Sequence, residues 1–479
     1  MTKTGTCGEA VINLLEGYGV DTVFGIPGFH NLELYRGIVN GNLTHILSRH
    51  EQGAGFMADG YARASGRPGV CTLITGPGVT NAATPLGQAY SDSIPLLLVS
   101  SANDSRTLGK GWGCLHEISD QSAVTAPLTA FSAMVRSPGE IPELIGQAFA
   151  VFASRRPRPV HISIPLDILA MAVEEEWEVR TPPARPVPAI EPVLAAAELL
   201  AGAERPMIVV GGGAVEAGAC LAELAERLEA TVIASNAGKG VVADSHPLSL
   251  GGGMVREAVR DHLATADVVL AIGTELSAAD SLVPRLPINA KLIRVDIDPA
   301  KFNDCYPADI AVLGDAAAAA GALLAALKEL GPKASAKGAR EILARVRTEV
   351  LDGLNATEKQ HKTVIDHLRA ALPPDTVIMA DISQIVYTGS ALMAVEQPRR
   401  WFYPAGFCTL GCALPGAIGA KLALPATPVI ALVGDGGFMF TVQELMTAVE
   451  LKLSLPVVIW NNDGFGMIRH GMEMHGIPH

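Results

Sequence analysis

The chain has 479 residues, and its 49 Asp and Glu outnumber 36 Lys and Arg to give a formal charge of −13. That acidity argues against a nucleic-acid partner, whose phosphates it would repel, and a content of 49% hydrophobic and 18% charged residues excludes a disordered or fibrous chain. At about 150 residues per domain, the length suggests about three separate cores.

The first twenty residues, "MTKTGTCGEAVINLLEGYGV", have the spacing of an amphipathic helix rather than an apolar signal core. No run approaches the ~18 to 20 apolar residues of a membrane span, so no membrane partner is expected. Residues 10–170 then alternate helical patterns with short apolar runs: "VCTLIT" (70–75), "PLLLVSS" (95–101) and "PVHISIP" (159–165). Runs of this length suit strands buried on both faces of a parallel sheet with helical crossovers. The charged, proline-rich "EEEWEVRTPPARPVPAIEP" (174–192) reads as a linker.

A second unit repeats the rhythm with "RPMIVVGGG" (205–213), "ATVIAS" (230–235), "ADVVLAIGT" (266–274) and "KLIRVDIDP" (291–299). The tract 316–340 begins as a good helix and ends in breakers, marking another boundary. A third unit has strands at "TVIMAD" (376–381), "VIALVGD" (429–435) and "PVVIWNN" (456–462). The expected fold is therefore α/β, with three doubly wound parallel-sheet domains at 1–172, 193–330 and 351–479, joined by linkers at 173–192 and 331–350. The seven cysteines are scattered without a CxxC motif, which fits a reducing cytoplasm.

The third unit carries the strongest chemical signal. Asp435 follows a buried strand and should emerge at the sheet's C-terminal edge, where open α/β folds place ligands. Gly434, Gly436 and Gly437 let backbone amides approach a phosphate. One helix later, the next strand delivers Asn461 and Asn462 to the same edge. A carboxylate, an amide oxygen and a backbone carbonyl form a hard-oxygen set suited to Mg²⁺ bridging a diphosphate. A lone GDG turn is most often an ordinary loop, but its pairing with NN on consecutive strands is fairly specific.

This pairing resembles the metal-diphosphate motif of thiamine diphosphate enzymes, and the resemblance implies Asp435, Asn462 and the Gly464 carbonyl as Mg²⁺ ligands. It also requires an upstream carboxylate against the cofactor's aminopyrimidine, which falls on Glu51 in "SRHEQGAGFMADGYARASGRPG" (48–69). The family's GPG-x-TN turn falls on Gly76 to Asn81. Similarity extends through "GVDTVFGIPG" (19–28), the central "VGGG" and "VDIDP", and "AGFCTLGCALPGAIGAKLA" (405–423). The chain thus looks like the acetolactate synthase and 2-oxo acid decarboxylase branch, with pyrimidine-binding, central and diphosphate-binding domains in that order. Leu410 matches the bulky residue that props the cofactor in its bent shape. Pro27, Gln384, Met467 and Ile468 are further cofactor-binding candidates on this resemblance. Glu51 would hold the pyrimidine nitrogen so that the imino form can deprotonate the thiazolium. A homodimer or homotetramer with the active site at the subunit interface is also implied.

Two departures from acetolactate synthases point to the reaction. Their Phe-Gln-Glu is replaced by Leu115, His116 and Glu117, and a histidine there suits protonation of the intermediate left after decarboxylation. His30, after the "IPG" turn, is a second catalytic candidate, although either histidine could simply be satisfied by its surroundings. The central "GTELSAADS" (273–281) lacks the Arg-Phe-Asp-Asp-Arg run of FAD-binding synthases, which argues against FAD. "LGKGWGCLHEISDQ" and "TELSAAD" look most like 5-guanidino-2-oxopentanoate decarboxylases, whose guanidinium substrate would need an anionic pocket. Glu117 and Asp120 are possible partners, with helix-face roles as the alternative.

The expected function is thus decarboxylation of a small-molecule 2-oxo acid. Carboligation of pyruvate to acetolactate is the competing enzymatic reading, and a catalytically inactive binding or regulatory subunit is the competing reading of another class. The short stretch after Asn462 is expected to leave the diphosphate-binding domain incomplete.

Overall fold

A computed structural model describes residues 5–331 and 338–478. They divide into two compact units, one comprising residues 5–184 and 407–464, the other the remaining described residues. In the first, β1 (Gly5–Thr6) and β8 (Ala172–Val173) make a small antiparallel pair. Between them lie β2 (Thr22–Gly25), β3 (Thr44–Leu47), β4 (Gly69–Leu73), β5 (Leu96–Ala102), β6 (Phe131–Met134) and β7 (Val160–Pro165), which form one sheet in the order β3-β2-β4-β5-β7-β6. Every neighbouring pair in this sheet is parallel.

The central strands β4, β5 and β7 are buried along their whole length, as their apolar runs require. Their side chains alternate between two cores. Val70, Leu97, Val99 and Ile162 face the core that includes Val11, Leu15 and Ile145 from the helices Cys7–Gly17 and Ile141–Ser154. Cys71, Leu73, Leu96 and Leu98 face Met57, Leu86, Leu414 and Ile418. Met57 lies on the helix Glu51–Ser65, and Leu414 and Ile418 lie on the helix Ala413–Ala423. These two helices cross at glycines: a Cβ at Gly60 would lie 2.1 Å from the Gly416 carbonyl oxygen, and one at Gly419 1.9 Å from that of Met57.

The second unit holds β9 (Pro206–Val210), β10 (Thr231–Ala234), β11 (Val268–Ile272), β12 (Lys291–Asp296) and β13 (Ile310–Leu313) in a parallel sheet of order β10-β9-β11-β12-β13. One face packs on helices Ile190–Gly202, Gly218–Leu228 and Ala316–Glu329, the other on Glu257–Ala264 and Ala339–Asp352. The last of these helices occupies a stretch read from sequence as linker. The breakers at 332–337 lie outside the described residues. In the same unit, β14 (Val377–Ala380) pairs in parallel with β15 (Trp401–Phe402). In the first unit, β16 (Val429–Gly434) and β17 (Val457–Trp460) are parallel neighbours. Among the described residues, no helix is long and apolar enough to cross a membrane.

The first sheet also buries polar groups. His161 on β7 is fully enclosed; its Nε2 lies 2.7 Å from Ser100 Oγ, and its Nδ1 lies 2.7 Å from Thr125 Oγ1 and 3.1 Å from Ser132 Oγ. No carboxylate is among these partners, so burial disfavours the charged ring and pushes its pKa from 6.5 down to about 3. A histidine with a depressed folded pKa binds its proton first in the unfolded chain. Its contribution to stability is therefore full above the unfolded value and lost as pH falls towards the folded one. Stability measured by urea titration should fall from about pH 7.5 to about pH 5, with a limiting slope from this group of about 1.4 kcal/mol per pH unit. His161→Gln should flatten that fall; an unaltered pH profile would contradict the assignment.

Candidate active site

Three adjacent strands, β3, β2 and β4, end at one edge of the first sheet, and the loops after them carry most of the upstream candidates. After β3, Glu51 opens the helix Glu51–Ser65, with His50 as its cap: His50 Nδ1 accepts a hydrogen bond from the Gln52 amide. After β4, Asn81 ends the short helix Pro77–Asn81 and donates Nδ2 to Glu51 Oε2 at 2.9 Å. This half-buried pairing leaves the other carboxylate oxygen available to a ligand. After β2, Pro27 is exposed and His30 is buried in a single helical turn, Phe29–Asn31.

His116 reaches the same place from the long loop after β5. Its ring lies edge-on to that of His30, with centroids 5.4 Å apart. Its carbonyl oxygen would stand 2.5 Å from a Cβ at Gly76, so only glycine permits this approach, and Gly76 also has a φ of +66°. His30 is driven below its ordinary pKa first by burial and then by the positive charge that His116 can carry. Its Nδ1 is buried without a hydrogen-bond partner among the described residues. The pair therefore favours a neutral His30 beside a more accessible His116. His116 itself has a φ of +61°, an unusual conformation for a residue with a Cβ.

A polar network behind the Gly76 turn fixes it. Gln121 Oε1 accepts from Thr75 Oγ1 and from the Gly76 amide, both at 2.8 Å. Its Nε2 donates to the Ser101 carbonyl at 2.8 Å, to Ser163 Oγ at 2.5 Å and to Ser100 Oγ at 3.1 Å. The two carboxylates expected to receive a guanidinium are otherwise engaged. Glu117 lies in the loop rather than on a helix, where it accepts the amides of Gly111, Trp112, Gly113 and Cys114 at 2.6 to 3.3 Å. Asp120 caps the helix Gln121–Thr125 by accepting the Ala123 amide at 3.0 Å.

At the second edge, Gly434 is the last residue of β16, and Asp435 begins the helix Asp435–Phe440, which contains Gly436 and Gly437. Gly434 is in register with Trp460 on β17, so Asp435 and the residues at 461–464 leave adjacent strand ends. Asp463 and Gly464 then turn the chain with φ of +57° and +156°. One carboxylate, the Asn462 amide and the Gly464 carbonyl are oxygen donors of the kind a hard divalent cation takes while sharing diphosphate oxygens. Among the described residues no group of three His, Cys, Asp or Glu gathers as a metal site. Half-buried Leu410 sits beside this helix: Thr441 Oγ1 donates to the adjoining Gly411 carbonyl at 2.8 Å. Gln384 begins the helix Gln384–Leu392, and Met467 and Ile468 are exposed on the helix Gly466–Met474; all three belong to the second unit.

Within the first unit, Glu444 joins the two edges, a role that sequence reasoning missed. This fully buried carboxylate accepts the Arg49 amide at 3.0 Å and the His50 amide at 3.0 Å, directly before Glu51. Thr447 Oγ1 lies 3.0 Å from Glu444 Oε2 and 3.2 Å from the Leu47 carbonyl oxygen. Burial pushes the Glu444 carboxyl above its ordinary pKa, against the pull of the Arg49 amide and Thr447 hydroxyl. A Cβ at Gly53 would meet Glu444 Oε1 at 2.1 Å, so the helix carrying Glu51 is seated directly on this carboxylate. In the sequence, Glu444 looked like one more residue of a helical crossover.

A carboxylate at one parallel-sheet edge, and a glycine turn with oxygen donors at another, are the parts an α/β enzyme working through a bound organic diphosphate would need. The chain belongs to the thiamine pyrophosphate enzyme family. Family models for its N-terminal TPP-binding, central and C-terminal TPP-binding domains match residues 5–124, 193–323 and 381–478. Among similar curated proteins is the "Probable 2-ketoarginine decarboxylase AruI" of Pseudomonas aeruginosa, 53% identical over 98% of this chain and 84% of that protein. The acetolactate synthase of Mycobacterium bovis is 36% identical over 98% of this chain and 78% of that protein. The acetolactate synthase isozyme 1 large subunit of Escherichia coli is 32% identical over 98% and 84%.

Glu444→Ala would leave the Arg49 and His50 amides without their acceptor, at a cost of roughly 1 to 3 kcal/mol for each donor that stays dry. Glu444→Gln keeps one acceptor oxygen and should be the milder change. Thermal unfolding and specific activity should both rank wild type above Gln and Gln above Ala. An Ala variant of wild-type stability and activity would contradict the positioning role.

Proposed function

We propose that this protein decarboxylates a 2-oxo acid with thiamine diphosphate and Mg²⁺, and that the substrate is 5-guanidino-2-oxopentanoate. The observation that carries the reaction type is the His30–His116 pair over the Gly76 turn, beside the Glu51–Asn81 pair. The substrate assignment is supported by the 53% identity to a protein named for 2-ketoarginine decarboxylation.

Asp435, Asn462 and the Gly464 carbonyl would hold Mg²⁺, and the backbone at Gly434, Gly436 and Gly437 would receive the diphosphate. Leu410 and Pro27 would line the rest of the cofactor in the first unit. Thiamine diphosphate, when bound, supplies a carbon nucleophile and the electron sink that allows CO₂ to leave. Glu51, held by Asn81, would accept and return a proton at the pyrimidine nitrogen. His116 would deliver the proton that ends the reaction as an aldehyde, while buried His30 stays neutral beside it and keeps a second positive charge out of the pocket.

Carboligation to acetolactate is the second reading, favoured by the identity of 36% and 32% to two acetolactate synthases. The enzyme incubated with cofactor and Mg²⁺ should release CO₂ and 4-guanidinobutanal from 5-guanidino-2-oxopentanoate, and His116→Ala should slow this by about 10²-fold or more while cofactor binding persists. Acetolactate from pyruvate as the main product would overturn the proposal.

A homo-oligomer, dimer or tetramer, with the site completed across the interface, accounts for large apolar groups left in solvent. Phe29 and Leu115 flank the histidines at 76% and 62% exposure, and Met446 and Val449 lie three residues apart on one helix at 58% and 68%. Light scattering should give at least twice the chain mass; an active monomer would refute the assembly. The seven cysteines, scattered without a CxxC motif, suit the reducing cytoplasm as the compartment.

A further inference from the structure

We propose that the indole face of Trp112, rather than a carboxylate, receives the substrate's guanidinium; this rests on the decarboxylase reading above. The argument begins with the acids. Glu117 is surrounded by four backbone amides, and Asp120 caps a helix. Farther along the loop, Asp104 is paired with Arg106, and Asp167 accepts the Ser105 amide and hydroxyl. Each of these carboxylates already holds a donor that it would have to release.

Trp112 is different: it is 66% exposed, and its ring already carries a cation, with Lys110 Nζ standing 4.8 Å from the ring centroid. The backbone that carries the ring is also held in place. Glu117 accepts the Trp112 amide, Gly111 and Gly113 on either side adopt left-handed conformations, and Asn103 Nδ2 donates to the Leu115 carbonyl at 2.7 Å. The same short loop ends in His116, whose carbonyl rests on the Gly76 turn. An aromatic face that accepts cations is therefore fixed a few residues from the histidine pair. A substrate whose keto carbon reacts beside His116 can extend its methylene chain along Leu115 towards Trp112.

Guanidinium suits this receptor better than the resident ammonium. It is planar, weakly hydrated and able to stack, whereas ammonium is a compact and strongly hydrated charge. Lys110 thus acts as a placeholder that the substrate displaces without uncovering a buried acid.

The test compares 5-guanidino-2-oxopentanoate with its uncharged isostere 5-ureido-2-oxopentanoate in the cofactor-loaded enzyme. Trp112→Leu should lower the guanidino-to-ureido ratio of kcat/KM by about tenfold, with Trp112→Phe in between, because a cation over an indole is the strongest of these contacts. Lys110→Ala should raise the ratio. Calorimetry with 5-guanidinopentanoate, which has no keto group to react, should show weaker binding to Trp112→Leu and thus reports on the inference independently of turnover. A ratio and a binding constant unchanged in Trp112→Leu would overturn the role of Trp112 while leaving the decarboxylase reading intact. A wild-type enzyme that binds 5-guanidinopentanoate through Trp112 but releases no CO₂ would instead overturn that reading and keep the receptor. Light scattering on each variant verifies that the assembly is unaltered.

Discussion

The buried carboxylate of Glu444 is the constraint on which the first unit's chemistry depends. It lies nine residues after Asp435 in the chain and holds the backbone amides immediately before Glu51. One side chain therefore ties the loop before Glu51 to the segment that follows Asp435. The nearby helix crossing at Gly60, Gly416 and Gly419 brings the two backbones so close that neither helix can slide without a clash. Enclosure disfavours the Glu444 charge, yet two backbone amides and a hydroxyl remain aimed at it. Placement gained at the cost of a buried acid is common where geometry matters more than stability.

The same economy recurs around the histidines. Gln121 uses both ends of its amide to hold Thr75, Gly76 and the ends of β5 and β7. Glu117 organises the Gly111 to Cys114 backbone. Both side chains are spent on partners around the Gly76 turn and the Gly111 to Cys114 loop.

Much of this could be read in the sequence, and the exceptions share a cause. Strands β4, β5, β7, β9, β11, β12, β14 and β16 are covered on both faces and so appear as continuous apolar runs. The strands at β3, β6, β13 and β15 are edge strands with short or partly exposed stretches, such as Thr44–Leu47, and leave no such run. Strands β10 and β17 are also edges but were visible: residues 248–251 cover the outer side of β10 through hydrogen bonds to Val232 and Ala234, and β17 keeps an unbroken apolar run although it is only part-buried. Asp435 and Asn462 stood out because strand ends and glycine turns mark ligand edges, whereas Glu51 stood out only through the resemblance to the family motif. Glu444, Gln121 and the engagement of Glu117 did not, since each depends on a backbone amide whose direction no residue pattern encodes.

The two histidines show why that distinction bears on function. As isolated letters, each was as easily a satisfied structural residue as a catalytic one. Their edge-on contact changes this, because two imidazoles at 5.4 Å cannot both be charged in a partly buried pocket without mutual repulsion. Burial bears on which one gives way: His30 is enclosed and is held below its ordinary pKa. Decarboxylation needs one proton delivered at one point, and carboligation needs that proton withheld until a second carbonyl has reacted. A single proton donor at His116, seated against the Gly76 turn by the loop whose amides Glu117 accepts, would favour the first outcome, as the proposed function requires.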